Sequence, residues 1–258
     1  MVSGQRIKIM SYNVQVGIST RRPHHYFTHS WKHVLPHTQR LENLDRVAHL
    51  LGDLDIVGLQ EVDAGSMRSN YINLAEYIAF RAGFPFWHHQ VNRNLGRIAQ
   101  HSNGLLSRFI PAEVQDLPLP GFIPGRNAIL ARYGSHEHPL VLIMLHLALS
   151  RKARCRQLAY ISDIVNQYPH VILMGDMNCR PDSPEMQLLF QRTRLFEPEE
   201  ETLTFPSWRP RFHIDHILVT PGLKVNKVHA LSHACSDHLP IVMELELPAE
   251  ISLATLAA

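Results

Sequence analysis

Val171-Ile-Leu-Met-Gly-Asp-Met-Asn178 is the stretch on which the fold turns. Four consecutive apolar residues are too few for an independent helix and match a strand buried on both faces. The run stops at Gly175, and Asp176 and Asn178 follow with one residue between them. In an extended segment such a pair leaves the same face about 6–7 Å apart, close enough to share one ligand. A rigid apolar strand that delivers polar groups at its end is how α/β enzymes place reactive side chains in a crevice.

Outward from this strand the same grammar recurs. Upstream, apolar spacing predicts a helix over 152–166, preceded by strands near 140–145 and 128–132 and by a Pro-rich loop over 117–124. Further back, 7–16 alternates as an opening strand, 18–38 reads as a long polar loop, and 39–54 carries Leu41, Leu44, Val47, Ala48 and Leu51 at helical spacing. That helix feeds the apolar run Ile56-Val-Gly-Leu59, after which a helix over 73–82 and a short strand over 104–106 are expected. Downstream, strands are predicted over 213–219, 224–230 and 239–247. No stretch has linker composition and no repeat is evident, so the expectation is one domain over 1–258, its core at about 7–247 and a loose tail from Ile251.

With 258 residues, 45% of them hydrophobic, the chain can bury a sizeable core. Its net charge of +2, from 25 Lys and Arg against 23 Asp and Glu, excludes a globally basic coat for nucleic acid, so any attraction for phosphate is local. Three scattered cysteines exclude a disulfide framework and a zinc ribbon. The amino terminus lacks the apolar run of a signal peptide, and no stretch reaches the ~18 apolar residues of a membrane helix. The expectation is a cytoplasmic protein without stable membrane insertion.

Polar residues stand at the ends of apolar runs in five places: Asn13, Glu61, His146, Asp176 with Asn178, and Asp237 with His238. Carboxylates from Glu61, Asp176 and Asp237, without a thiolate set, suit a hard cation such as Mg²⁺ or Mn²⁺. His238 directly follows a carboxylate and is a candidate base or phosphate donor, with Asp215 placed to orient it. Taken singly, each residue also has a structural use: Asn13 as a strand tie, Asp176 and Asn178 as an Asx-turn, Asp215 and His238 as an ion pair. The cluster Arg21, Arg22, His24, His25, Tyr26, His29, Trp31, Lys32 and His33 reads either as a solvated loop or as a rim of cations and aromatics. Arg68, Arg93, Arg97 and Arg126 are candidates to extend that rim toward substrate.

In order, Ser11-Tyr-Asn-Val14, Leu59-Gln-Glu-Val-Asp63, His146-Leu, Gly175-Asp-Met-Asn178, Ile214-Asp-His-Ile-Leu218 and Ser236-Asp-His-Leu-Pro240 resemble the motifs of the endonuclease/exonuclease/phosphatase superfamily. The resemblance implies a deoxyribonuclease-I-like α/β fold, a four-layer sandwich of two mixed β-sheets with helices outside. It implies that Glu61 holds the metal with Asn13 and Asp237, that Asp176 and Asn178 position or activate water, and that Asp215 pairs with His238. His146 would stabilise the phosphate or protonate the leaving oxygen, and Asn103, in Ser102-Asn-Gly-Leu-Leu-Ser-Arg108, would contact phosphate or sugar. Thr204-Phe-Pro-Ser-Trp208 resembles a less characterised bacterial branch. The activity implied is a metal-dependent phosphodiesterase, first for DNA or RNA, alternatively for a lipid headgroup or a small phosphorylated metabolite. A binding module that kept the shape without turnover is the non-enzymatic alternative, and the intact acidic set with both histidines argues against it.

Overall fold

The computed structural model describes residues 4–17, 39–94, 96–121, 125–198, 202–233 and 235–255. The expected loop over 18–38, with its cations and aromatics, lies outside the described residues. Among the described residues there are eleven strands: β1 (Arg6–Asn13), β2 (Ile56–Asp63), β3 (Phe86–Asn94), β4 (Gln100–Ser107), β5 (Glu113–Pro118), β6 (Asn127–Gly134), β7 (Pro139–His146), β8 (His170–Asp176), β9 (Asp215–Val219), β10 (Lys224–Ala230) and β11 (Ile241–Glu246). Four α-helices accompany them: α1 (Gln39–Leu50), α2 (Leu74–Ala82), α3 (Arg151–Val165) and α4 (Pro184–Arg192).

The strands form a six-stranded sheet in the order β10-β11-β1-β2-β4-β3 and a five-stranded sheet in the order β5-β6-β7-β8-β9. Each sheet is mixed, because β1 runs parallel to β2 and β7 parallel to β8 while the other pairs are antiparallel. Ile9, Ile56, Leu105 and Met243 meet Ile129, Leu142, Met144 and Ile172 between the sheets. On the outer face of the first sheet, Leu44 and Val47 of α1, Leu51 just after it, and Leu74 and Ile78 of α2 cover Tyr12, Val57 and Leu59. On the other, Leu158 and Ile161 of α3 and Met186 and Leu189 of α4 cover Val141, Ile143, Leu173 and Leu218. The expected four layers are therefore present. Successive residues of β8 alternate between the central core and the helix-covered face, which is why its sequence is apolar without interruption.

Helices α2, α3 and α4 begin on side-chain caps that satisfy first-turn N–H groups. Asn73 accepts from Ala75 and Glu76, Ser150 from Ala153, and Ser183 from Met186, with Pro184 opening α4. Three elements were not anticipated. β3 and β5 are edge strands whose largely polar sequences, Phe-Trp-His-His-Gln-Val-Asn-Arg-Asn and Glu-Val-Gln-Asp-Leu-Pro, hide the strand signal, and α4 is only nine residues long. The segment expected to be loose from Ile251 is held as far as it is described: Ile251 and Leu253 join the central core, and Ile110 N–H donates to the Ala254 carbonyl. No helix among the described residues is long and apolar enough to cross a membrane.

Candidate active site

Register brings the polar strand ends together. In the second sheet His146 is the direct partner of Asp176, and Asp176 the direct partner of Asp215, so three adjacent strands set these residues in one row. In the first sheet Asn13 ends β1 opposite Gln60, and Glu61 follows. Here the pairing of β2 with β4 shifts between Leu59 and Val62, and Glu61 adopts φ +56°, a left-handed conformation that a glutamate rarely takes. The bulge re-aims Glu61 into a cleft of about 580 Å³, which it lines with His146, His101, Arg93, Arg126 and Leu149.

Asp176 is the hub. Its Oδ2 accepts from Asn13 Nδ2 at 3.2 Å and lies 3.3 Å from His146 Nε2 and 3.9 Å from His238 Nε2. Its Oδ1 accepts the Asn178 N–H at 2.9 Å, so the Asx-turn and the site coexist on one carboxylate. Gly175, at φ +145°, makes this approach possible: a Cβ there would lie 1.9 Å from the Leu145 carbonyl oxygen. Asn178, at φ +52°, is fixed by donating from Nδ2 to the Leu147 carbonyl at 3.0 Å. Across the row, His238 Nδ1 lies 2.8 Å from Asp215 Oδ2, which also accepts from Thr204 Oγ1 at 2.5 Å. The Phe205 ring packs on His238 with centroids 4.8 Å apart.

These contacts set the charges. Burial pushes the Asp176 carboxyl up to about 7, against the pull of His238. Burial alone would drive the His238 proton off, but Asp215, with Asp176 and Asp237, holds its pKa up at about 10. His146 is pushed well below 6.5 by burial and by the positive charges of Arg126 and His238, so its imidazole is neutral. Burial, then the charge of Asp237, raises the Glu61 carboxyl, while His238, the Asn13 amide and Arg126 oppose the shift.

The donor set fits a hard divalent cation. The Asp237 carboxylate stands close enough to Glu61 to disfavour its charge, beside the Asn13 amide, and a cation among these oxygen donors would relieve that repulsion. Asp176, Asp215 and His238 form a neighbouring group whose ligand atoms all lie within 4.8 Å of one another, and Asp215 Oδ1 is buried without a hydrogen-bond partner. Arg68 and Asn103 are placed differently from the other expected residues. Arg68 is only 2% exposed and spends its guanidinium on Asp63, with Nη1 3.4 Å from His101 Nε2; Asn103 is fully buried and donates to the Asn127 carbonyl at 3.2 Å. Of the expected residues, Glu61 and His146 line the cleft, and Asn13, Asp176, Asp215 and His238 join it through the contacts of Asp176; Arg68 and Asn103 make their bonds to Asp63 and Asn127 instead. His101, which sequence reasoning did not single out, also lines the cleft, its pKa pushed down to about 4 by burial and Arg68. Thr204 and Phe205, quoted only as part of a motif, support His238; no residue-type signal marks a hydroxyl or a ring for such a role.

The profile of the Endonuclease/Exonuclease/phosphatase family matches residues 10–238. The chain belongs to that family. Its members are hydrolases acting on phosphoester bonds and are typically dependent on a divalent metal. Among solved structures, an endonuclease/exonuclease/phosphatase family protein from Bacteroides thetaiotaomicron superposes with a TM-score of 0.74 at 16% identity, over 95% of this chain and 99% of that one. The mannosyl-6-phosphatase of the same organism gives 0.69 at 17% identity, over 93% and 99%. A humanised Danio rerio TDP2 gives 0.66 at 18% identity, over 93% and 99%. No curated protein matches the sequence. At these identities the likeness is one of fold.

Proposed function

We propose that this chain is a divalent-cation-dependent phosphodiesterase that hydrolyses nucleic-acid phosphodiester bonds by in-line attack of water. The reading rests on one observation: a His146–Asp176–Asp215 row from one sheet, with His238 joined to it, meets Glu61 from the other. Glu61, Asp237 and Asn13 would hold the cation, which supplies positive charge against the phosphoryl oxygens. Asp176, poised at about 7, takes the proton of the attacking water, since a base is most effective when its pKa lies near the working pH. Asn178 fixes the turn that carries Asp176. His238, protonated at neutral pH and pinned by Asp215, donates to the charge that develops on phosphate, and neutral His146 donates a hydrogen bond to the leaving oxygen. Arg126 and Arg93 add cations to the cleft wall.

One observation favours a second reading, hydrolysis of a lipid headgroup or small phosphorylated metabolite. The cleft has the size of a small-molecule pocket, and its lip carries Leu149, 75% exposed, beside Ala148 and Ala153. A panel of plasmid, single-stranded DNA, abasic DNA, RNA, sphingomyelin vesicles, mannose 6-phosphate and bis-p-nitrophenyl phosphate, each with Mg²⁺ or EDTA, separates the two. Metal-dependent cleavage of nucleic acid that falls steeply with salt is the expected result. Turnover confined to the lipid or the sugar phosphate replaces the first reading by the second, and equal rates for wild type and Asp176→Asn on every substrate refute both.

A further inference from the structure

On the other face of β9 from Asp215 lies a second cluster of ligating side chains that the proposed reaction does not use. His216 follows Asp215 directly, so strand alternation turns its ring away from the cleft. It is fully buried, with His213 stacked on it at a centroid separation of 4.6 Å. Glu197 stands just after Phe196, whose N–H donates to the Val219 carbonyl at the far end of β9. One oxygen, Glu197 Oε1, lies 2.7 Å from His216 Nδ1 and 3.1 Å from His213 Nε2. All three ligand atoms fall within 4.8 Å of one another.

A second feature shows that this cluster needs positive charge, which either a proton on His216 or a metal ion supplies. His216 Nε2 lies 2.9 Å from the backbone carbonyl oxygen of Cys179. A carbonyl only accepts, so Nε2 carries the hydrogen and, in the neutral ring, Nδ1 is left with a bare lone pair. That lone pair points at a carboxylate oxygen in a water-poor interior, which repels unless a positive charge stands between them. The ring and the acid both respond to this demand: Glu197, despite burial, is held at about 2 by His216 and His213, and His216 is raised by Glu197 against its own burial.

We propose that Glu197, His213 and His216 form a second metal centre, for a divalent transition ion of the zinc class. Two imidazoles and one carboxylate are the donor set such ions prefer, whereas the oxygen-rich set at Glu61 and Asp237 suits a harder ion. Zinc–nitrogen and zinc–oxygen bonds of about 2.0–2.2 Å place tetrahedral ligand atoms about 3.3 Å apart, so from the observed 3.1 and 2.7 Å the cluster would open by about 0.2 and 0.6 Å, with one imidazole turning out of the stack so that both lone pairs reach the ion. Thr202 Oγ1, 3.1 Å from His213 Nε2, is placed to accept a hydrogen bond from a water in the fourth position or to enter it. The centre would join Glu197, with Thr202 beside it, to β9 and through His216 to the Cys179 carbonyl. It thereby fixes, from behind, Asp215, its donor Thr204 and the turn of Asp176 and Asn178. It is a positioning device and does not touch substrate.

The test uses the full chain, stripped with chelator, dialysed, and loaded with Zn²⁺ alone in a buffer containing excess Mg²⁺. Elemental analysis is expected to show one zinc per chain retained by wild type and by Glu61→Gln, and lost in His213→Gln, whose fold is checked by circular dichroism. Zinc should also raise the Tm of wild type by several degrees and leave that of His213→Gln unchanged. X-ray absorption on zinc-loaded wild type guards against a misfolded variant: a shell with two imidazole nitrogens supports the centre, and an all-oxygen shell overturns it. Equal zinc in wild type and His213→Gln, or none in wild type with His216 simply protonated, also overturns it. Loss of zinc in Glu61→Gln alone would assign the ion to the catalytic cleft and leave this cluster without one.

Discussion

Thr204 Oγ1 and His238 Nδ1 meet the same oxygen of Asp215, so one buried carboxylate sets both the direction and the charge of the imidazole. Asp215→Asn removes the charge and leaves the shape. The His238 ring, followed by NMR, is expected to titrate well below its present value of about 10, because burial then acts with less opposition, and kcat should fall on the order of 10²–10⁴-fold. An unchanged titration would show that the pair does not set the proton. Asp63 makes a second, independent case. It accepts from the backbone N–H groups of Gly65, Ser66 and Gln100, from the hydroxyls of Ser66 and Ser69, and from Arg68. Burial raises its pKa, but the Ser66 N–H and Arg68 prevail and hold it at about 2. A pKa depressed on folding contributes stability above the unfolded value near 4, and that contribution, about 2 kcal/mol, is lost as pH falls toward 2. Asp63→Asn is expected to cost about 3–5 kcal/mol at pH 7, because Arg68 is left buried without its partner, and to flatten the acid limb of stability between pH 4 and 2. Urea titrations at pH 7 and 3 measure both.

At the scale of elements, β8 sets Asp176 in the row with His146 because its backbone can approach β7 where only glycine fits. Gly175→Ala places a Cβ 1.9 Å from the Leu145 carbonyl oxygen at a backbone angle that alanine avoids. The expected loss is about 3–5 kcal/mol in denaturant unfolding, with activity falling further than stability because Asp176 moves with the strand. A cost under about 1 kcal/mol would mean that β7 and β8 part easily. Strands buried on both faces were legible in the sequence: Val171 to Met174 and Ile56 to Leu59 are apolar throughout, since each successive residue enters a different core. The edge strands β3 and β5 were not, because a strand with one open side has no need of an apolar pattern. The bulge at Glu61 was also invisible, as it arises from the pairing of β2 with β4 and not from any residue that marks a turn.

For the whole molecule, the candidate site draws on both sheets: Asn13 and Glu61 come from one, His146, Asp176 and Asp215 from the other. A cation held by Glu61, Asp237 and Asn13 would stabilise the folded state by mass action. Mg²⁺ at 100 times its Kd is expected to add about 2.7 kcal/mol over EDTA in calorimetry, and Glu61→Gln to abolish the difference. A Tm indifferent to Mg²⁺ in wild type would count against the cation site. Sequence alone determined the alternation of apolar runs and the polar residues at their ends, because burial on two faces and reactivity at a strand terminus each leave a local pattern of residue types. Their motif order carried the family. The charge states at the site, the bonding of Arg68 to Asp63 and of Asn103 to the Asn127 carbonyl, and the meeting of Glu197 with His213 and His216 were decided only by the fold. Each depends on desolvation and on partners far apart in the chain, and neither has a signature in any single stretch of residues.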